Sequence, residues 1–210
     1  MPLISSDYIP ENPLKRWKHR LLKDKKVLDI GSYGKRLTPF TTTLDIINYK
    51  DVDVVADACK KIPFPDNTFD TVWCEAVLEH MHNPTKAVLE MHRVLKPNGL
   101  IFVVVPFIHK YHDYPNDYGR WTTNGLEILF KDFATLEIGV YRGATSALLS
   151  FITEYFTLFT FTDNKTINWL VKACFMTLLF PWKYLDKLLI KNQRSHELAC
   201  ALYYIGVKNG

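Results

Sequence analysis

The chain reads VLDIGSYGK at residues 27–35, TLDI at 43–46, VVADA at 54–58 and FPDNTFDTVWCEAVLEH at 64–80. Each segment contains a short apolar run that ends in an acidic residue or a glycine-bearing turn. In an open parallel sheet, the carboxyl ends of the strands carry the polar groups that contact a ligand. The four segments together therefore predict a nucleoside-binding α/β domain.

Three more segments extend the predicted sheet to seven strands. LIFVVV at 100–105 is apolar at every position, which is typical of a central strand covered by helices on both faces. Residues 134–140 and 199–208 are predicted as the sixth and last strands. Strands that alternate with helices at these spacings predict an α/β fold, a Rossmann-like three-layer αβα sandwich with a mostly parallel seven-stranded sheet.

Helix start and stop signals lie between the predicted strands. Asn83 and Pro84 are predicted to open a helix that KPNG at 96–99 ends, because proline and an Asn-Gly pair both interrupt helices. Asn124 and Glu127 resemble a capping pair for the next helix.

Composition narrows the class of protein. A chain of 210 residues with 48% hydrophobic residues can bury the core of one folded domain. The net charge of +4 is too small to favour a nucleic-acid partner. The four cysteines are far apart and form no CxxC pair, which indicates small buried side chains in a reducing compartment and predicts no metal site.

The first residues are expected to form a basic amphipathic helix within residues 1–25. Leu14, Trp17, Leu21 and Leu22 share one face, and lysines and arginines crowd the other. The helix either packs on the sheet or over the ligand, or it meets a membrane surface. The start of the chain lacks the pattern of a secretory signal, so we expect a cytoplasmic protein, with peripheral attachment at the inner face of the membrane left open.

An apolar helical insertion is predicted at residues 145–197, between the two parts of the main domain at 26–144 and 198–210. Its uninterrupted apolar stretches are shorter than the roughly 20 residues that cross a bilayer. The segment carries aromatic and basic residues that suit a membrane surface: Trp169, Trp182, Lys183, Tyr184, Lys187 and Lys191. Membrane contact through residues 145–194, a roof over the substrate pocket and a dimer seam are all compatible with this composition.

The order of these segments, and above all PFPDNTFDTVWCEAVLEHMHNPTKAVLEMHRVLKPNGLIFVVVPF at residues 63–107, resembles the class I S-adenosylmethionine-dependent methyltransferases, in their methyltransferase type 11-like branch. The resemblance covers residues 26–139. It implies the predicted fold, S-adenosyl-L-methionine as cofactor and a methyl-transferring enzyme.

By this resemblance, Asp29, Gly31 and Ser32 form the turn that approaches the methionine part of the cofactor. A residue without Cβ suits that close approach. The family pattern has glycine where this chain has Tyr33 and Lys35, so the geometry of the turn departs from the usual one.

The remaining cofactor contacts follow the next three strands. The resemblance implies that Asp45 accepts hydrogen bonds from the ribose hydroxyls, as an ionised carboxylate can. Asp57 and Ala58 match the adenine-reading segment, and the carbonyl of Cys74 or Glu75 matches the position that takes the amino group. The alternatives are a turn or cap aspartate at Asp45, an Asx turn at Asp57, and a Glu75 side chain that faces solvent.

The loop at residues 106–123, PFIHKYHDYPNDYGRWTT, is the predicted substrate wall, because its aromatic and charged residues could stack on a ring and orient its hydroxyls. The alternative is a loop packed by its own tyrosines. His80, in the LEH signature, and the pair His112 and Asp113 are the candidate acid–base residues, since an imidazole is suited to proton removal at neutral pH. A histidine at a helix end is also commonly structural.

These features predict in-line methyl transfer, most simply to oxygen, on a small-molecule or glycan acceptor that could be lipid-linked. The alternative is a catalytically silent methyltransferase-like module that binds a membrane or protein partner through its insertion. A nicotinamide oxidoreductase is disfavoured because the turn lacks GxGxxG. The sequence is compatible with a monomer or a homodimer.

Overall fold

The computed structural model describes residues 9–10, 12–112 and 115–210. Asp113 lies outside these ranges. The strands are β1 (Val27–Ile30), β2 (Thr41–Asp45), β3 (Val54–Val55), β4 (Phe69–Glu75), β5 (Leu95–Pro106), β6 (Phe133–Arg142) and β7 (Ala201–Lys208). The helices are α1 (Leu14–Leu22), α2 (Pro84–Val94), α3 (Thr123–Leu129), α4 (Ala144–Leu158), α5 (Lys165–Leu179) and α6 (Asp186–Leu189), with 3-10 helices at Leu78–His80, Phe180–Leu185 and Ser195–Leu198.

The seven strands form one sheet in the order β3-β2-β1-β4-β5-β7-β6. The pairings of β1 with β2 and β4, of β2 with β3 and of β4 with β5 are parallel. The seven-stranded, mostly parallel sheet with flanking helices confirms the predicted fold class.

The register places three strand ends side by side. Ile30 at the end of β1 pairs with Leu44 of β2 on one side and with Cys74 of β4 on the other. The chain leaves β1 toward β2 and later returns to the other side of β1 as β4, so a topological switch point lies at this edge of the sheet. Polar residues that follow β1, β2 and β4 therefore lie near one another.

The ends of two helices test the predicted caps. The side chain of Asn83 accepts a hydrogen bond from the amide of Lys86 at 3.1 Å, as expected for the first turn of α2. The predicted cap at Asn124 is wrong: Thr122 caps α3 by accepting from the amide of Gly125 at 3.1 Å. A threonine hydroxyl fills this role as well as an asparagine does, and it lies directly before the first helical residue.

The KPNG segment follows the end of α2, as predicted, but it also forms part of the next strand. Helix α2 ends at Val94 and β5 begins at Leu95, so residues 96–99 lie inside the strand rather than in a connection before it. Phe69 pairs with Leu95 and Thr71 pairs with Leu100, so the four residues form a bulge, with Asn98 at a φ of +62°.

The chain divides into two compact units. The sheet unit comprises residues 13–106, 112–139 and 203–210, and the helical unit comprises residues 107–111 and 140–202 with the described residues up to Asn12. The predicted domain boundaries at 25, 144 and 197 stay a prediction.

Inside the helical unit, buried Asp186 holds the start of α4. Its carboxylate accepts from the amides of Thr145 at 2.7 Å and Ser146 at 3.0 Å, and from the hydroxyl of Ser146 at 2.8 Å. The rings of Phe156 and Phe175 stack at 4.1 Å between centroids and join α4 to α5. None of the helices in the described ranges is long and apolar enough to cross a bilayer.

Candidate cofactor site and the adjoining histidine cluster

A cleft opens in the sheet unit at the ends of β1 and β2. Five of the predicted site residues line it: Gly31, Asp45, Asp57, Ala58 and His80. The cleft walls also include Tyr33 and Tyr49, which were not predicted to line a site, and Pro115, which lies in the predicted substrate wall at residues 106–123.

The turn after β1 depends on left-handed backbone. Gly31 has a φ of +76°, and a Cβ added there would lie 2.2 Å from Cγ2 of Val77. Tyr33 and Gly34 also have positive φ, at 52° and 74°. Tyr33 therefore takes the backbone conformation that a glycine adopts more easily, and its ring lies 5.2 Å from that of Tyr49.

Asp45 ends β2 at the wall of the cleft and is 6% exposed. Its Oδ2 accepts from the amide of Tyr33 at 3.2 Å, and its Oδ1 accepts from the amide of Ile47 at 3.0 Å. Two carboxylate oxygens offer about four acceptor sites. Asp45 therefore orders the turn after β1 and still has capacity for further donors.

Asp57 and Ala58 follow β3 along another wall of the cleft. The Oδ1 of Asp57 accepts from the amide of Cys59 at 2.9 Å, which is an Asx turn. This geometry is the alternative given for Asp57, and it fixes the backbone of a residue that also lines the cleft.

Four of the eight predicted cofactor-binding residues do not line the cleft: Asp29, Ser32, Cys74 and Glu75. Asp29 is 6% exposed, and burial, together with the negative charges of Glu75 and Asp45, raises its pKa to about 8. The hydroxyl of Ser32 accepts from the amide of Gly34 at 3.2 Å and so braces the turn. Burial raises the pKa of the Cys74 thiol well above its usual value.

The candidate acid–base residues meet in a cluster that we call the Glu79 cluster: Glu79, His80 and His112. The Nε2 atoms of His80 and His112 lie 3.8 and 3.5 Å from the Oε1 of Glu79. The two imidazole rings are 5.0 Å apart in an edge-to-face arrangement. The chain separation of 32 residues hid this grouping from the sequence, and the burial of Glu79 had no sequence signal.

Hydrogen bonds made by the loop after β5 hold the residues of the Glu79 cluster in place. The amide of His112 donates to Asp117 Oδ2 at 2.9 Å, and the amide of Tyr118 donates to the carbonyl of Glu79 at 2.7 Å. The guanidinium of Arg120 donates to Asp117 Oδ2 at 2.7 Å and holds the pKa of Asp117 well below its usual value. The Tyr118 side chain is 58% exposed, so this tyrosine does not pack the loop from inside.

Comparison with known proteins agrees with this architecture. Residues 32–103 match a family model described as a methyltransferase domain. Across 102 residues the chain is 36% identical to a sterol 4-C-methyltransferase of Caenorhabditis elegans, with 43% of this chain and 30% of that protein covered. Across 129 residues it is 30% identical to a demethylmenaquinone methyltransferase of Renibacterium salmoninarum, with 50% and 54% covered.

A solved structure supports the fold over a longer stretch. The 1,6-didemethyltoxoflavin-N1-methyltransferase of Burkholderia thailandensis, solved with 1,6-didemethyltoxoflavin and S-adenosylhomocysteine, superposes with a TM-score of 0.52 and 13% identity, covering 89% of this chain and 72% of that one. The fold is thus that of the class I methyltransferases. Within residues 32–103 the sequence matches the methyltransferase domain family, in agreement with the predicted resemblance to the methyltransferase type 11-like branch. It spans about half or less of the length of the two curated relatives.

Proposed function

We propose that the protein is an S-adenosylmethionine-dependent methyltransferase that transfers the sulfonium methyl to a hydroxyl oxygen of a small-molecule or glycan acceptor. The observation that carries the proposal is the pairing of Gly31 and Asp45 in one cleft. Gly31 gives the cleft a left-handed turn that packs closely against Val77, and the buried carboxylate of Asp45 has acceptor capacity for a ribose diol.

The cofactor roles follow the lining of the cleft. Asp45 holds the ribose, and Asp57 with Ala58 holds the adenine edge. Asp29, Ser32, Cys74 and Glu75 lie outside the cleft lining, and we assign Asp29 and Ser32 to shaping the turn and the Cys74 or Glu75 carbonyl to the methionine amino group.

Methyl transfer depends on positioning the acceptor against the methyl group more than on covalent catalysis. The acceptor oxygen attacks the methyl carbon in line with the sulfur, and the carbon–sulfur bond breaks to give S-adenosylhomocysteine. A bound near-attack geometry can replace roughly 7–11 kcal/mol of the barrier. His80 lines the cleft next to His112, so the Glu79 cluster is the proposed place where the acceptor loses its proton. Asp113, paired with His112 in the sequence, stays a prediction.

We assign the acceptor to a lipid-linked or otherwise apolar class because the helical unit exposes many large apolar side chains. None of the fifteen residues of α5, all within the described ranges, is buried, and Trp169 and Leu170 are 52% and 55% exposed. Exposed lysines at 165, 187 and 191 give the same unit a basic character that suits an anionic membrane. The two curated relatives act, by name, on a sterol and on a demethylmenaquinone. Peripheral attachment at the cytoplasmic face of a membrane follows from this assignment.

The test is transfer of label from tritiated S-adenosylmethionine to acceptors presented in anionic vesicles: lipid-linked sugars, sterols and quinone precursors, with free glycans in parallel. We expect labelled product and S-adenosylhomocysteine with a hydroxyl-bearing, membrane-held acceptor. An Asp45→Asn variant should lose the product, whereas Asp51→Asn, which changes an exposed turn residue outside the cleft lining, should not. Cofactor binding without transfer to any class would favour the alternative of a silent module.

A further inference from the structure

The carboxylate of Glu79 is buried without a hydrogen bond. Its side chain is fully buried, and neither oxygen has a hydrogen-bond partner among the described residues. A buried charge that lacks hydrogen bonds is costly, so native proteins pair such charges or place them on metal ions. Among the described residues, His80 and His112 each place a ring nitrogen within 4 Å of its Oε1, and the Cys74 thiol and the Arg120 guanidinium also interact with its charge.

The outer nitrogens of both histidines determine where the inner protons lie. The Nδ1 of His80 lies 2.5 Å from the carbonyl oxygen of Asn116, which can only accept, so this nitrogen donates. The Nδ1 of His112 lies 3.3 Å from Asp117 Oδ2, and an ionised carboxylate also only accepts. In the neutral rings, both Nε2 atoms then present lone pairs to the same Glu79 oxygen.

Two lone pairs and a carboxylate oxygen that face one another form a set of ligand atoms that one cation can bridge. We propose that Glu79, His80 and His112 bind a divalent transition-metal ion of the zinc class. One ligand atom from each residue lies within 4.8 Å of the others. Tetrahedral zinc with bonds of 2.0–2.1 Å needs ligand separations of about 3.4 Å, which small movements of the side chains supply from 3.5 and 3.8 Å.

The surroundings have the features of a built metal site. Metal-binding histidines usually donate their other ring nitrogen to a carbonyl or carboxylate, which orients the ring: His80 Nδ1 donates to the Asn116 carbonyl, and His112 Nδ1 lies 3.3 Å from Asp117 Oδ2. The His112 side chain is 30% exposed, which leaves a path for the ion. Two histidines and one glutamate also leave a coordination position open.

The open position gives the ion a chemical role that rests on the proposed function. When bound, the ion would hold an acceptor hydroxyl and make its proton easier to remove. The proton leaves to water, the oxygen forms a bond to the methyl carbon, and the carbon–sulfur electron pair returns to sulfur. The bound ion would therefore select a substrate with an ionisable hydroxyl that reaches His80 and His112.

The test is a titration of chelator-treated protein with Co²⁺, followed by its visible d–d absorption, and then displacement by Zn²⁺. The measurement uses neither cofactor nor acceptor, so its result is independent of the proposed methyl transfer. We expect one Co²⁺ per chain with the strong bands of a four-coordinate site, lost in Glu79→Gln and in His112→Asn. Thermal unfolding of each variant shows whether it is folded.

His82→Asn is the matched control, because Asp57, Cys59 and His82 form a second group with ligand atoms within 4.8 Å of one another. Burial raises the pKa of the Cys59 thiol, so that group is less ready to bind metal. Retained Co²⁺ binding in folded His82→Asn, with loss in folded His112→Asn, supports the proposal. No binding by folded wild-type protein, or binding that only His82→Asn removes, would overturn it.

Discussion

The sheet unit and the helical unit use similar apolar residues in opposite ways. In the sheet unit, every residue of β5 from Leu100 to Pro106 is buried. In the helical unit, α5 is also rich in apolar residues, yet none of its residues, all within the described ranges, is buried. The buried residues of β5 belong to the core that holds the sheet edge where the cleft lies. The pattern of α5 leaves several large apolar side chains exposed on one helix, whereas single scattered ones are normal on a protein surface.

The first prediction compares the stability lost at a buried apolar position with the stability lost at an exposed one. Ile101→Ala removes a side chain that is fully buried in β5, and the lost contacts and cavity should cost about 2–5 kcal/mol of unfolding free energy. Leu170→Ala removes one that is 55% exposed and should cost less than about 0.5 kcal/mol. Urea denaturation of both variants measures the difference; equal losses would mean that α5 is packed and the comparison fails.

The next effect concerns the cleft that the sheet unit creates. Gly31→Val places a branched side chain at a φ of +76°, against Val77, and should lower affinity for S-adenosylhomocysteine at least about 100-fold, since strain of this kind costs about 1–3 kcal/mol before any clash with the ligand. Gly125→Ala, in α3, is the control and should bind normally. Calorimetric titration gives both affinities, and a Gly31→Val protein that is folded and binds like wild type would contradict this account of the turn.

The third prediction tests whether the exposed apolar side chains of α5 bind membranes. Replacing Trp169 and Leu170 by serine should weaken binding to anionic vesicles about tenfold or more, because each side chain contributes up to about 1.5–3 kcal/mol when it is buried. Ile128→Ser, on α3 of the sheet unit and 74% exposed, is the matched control. Vesicle co-sedimentation at low and physiological salt measures the change. Unchanged binding of the double variant would assign this surface to another partner.

The smallest effect is a pH dependence within the sheet unit. Burial raises the pKa of Asp29 from its usual 3.8 to about 8 in the folded protein. Between these values the folded protein holds a proton that the unfolded chain has released, so the stability contribution of Asp29 falls as pH rises from about 4 to 8. Asp29→Asn removes this decline.

The stability of Asp29→Asn relative to wild type should rise by on the order of 1 kcal/mol or more between pH 4 and pH 8, because only the wild type loses stability over this range and the cost of burying the amide is the same at both pH values. Urea denaturation at the two pH values measures it. Asp66→Asn, an exposed carboxylate, is the control. A gain that is larger at pH 4 than at pH 8 would show that Asp29 is ionised in the folded protein.

The sequence predicted what depends on local pattern. Alternating and continuous apolar runs identified the strands, because burial on one or both faces imposes their periodicity, and the Asn83 cap follows from its position before a proline. The helix stop at KPNG was confirmed, but the place of these residues in a bulge of β5 was not predicted, because a turn signal does not tell whether the chain leaves the sheet. The predicted Asn124 cap was wrong, because neighbouring Thr and Asn residues compete for one cap.

The candidate site was only partly predictable, since it depends on contacts between distant residues. Gly31, Asp45, Asp57 and Ala58 follow strands and could be assigned in order. The Glu79 cluster joins the LEH segment to a loop beyond β5, and only the folded chain brings His112 to Glu79. Tyr33 shows the limit of pattern matching, because it adopts the left-handed backbone that the family pattern gives to glycine.

The central claim is that the cleft beside Asp45 is a nucleoside-cofactor site. Calorimetric titration of the protein with S-adenosylhomocysteine tests it, beside Asp45→Asn and the exposed control Asp51→Asn. We predict saturable one-site binding that weakens at least about tenfold in Asp45→Asn, since a hydrogen bond to a charged group contributes roughly 1.5–3 kcal/mol, and that is unchanged in Asp51→Asn. No saturable binding by folded wild-type protein at two temperatures, or equal affinity in Asp45→Asn, would contradict the claim.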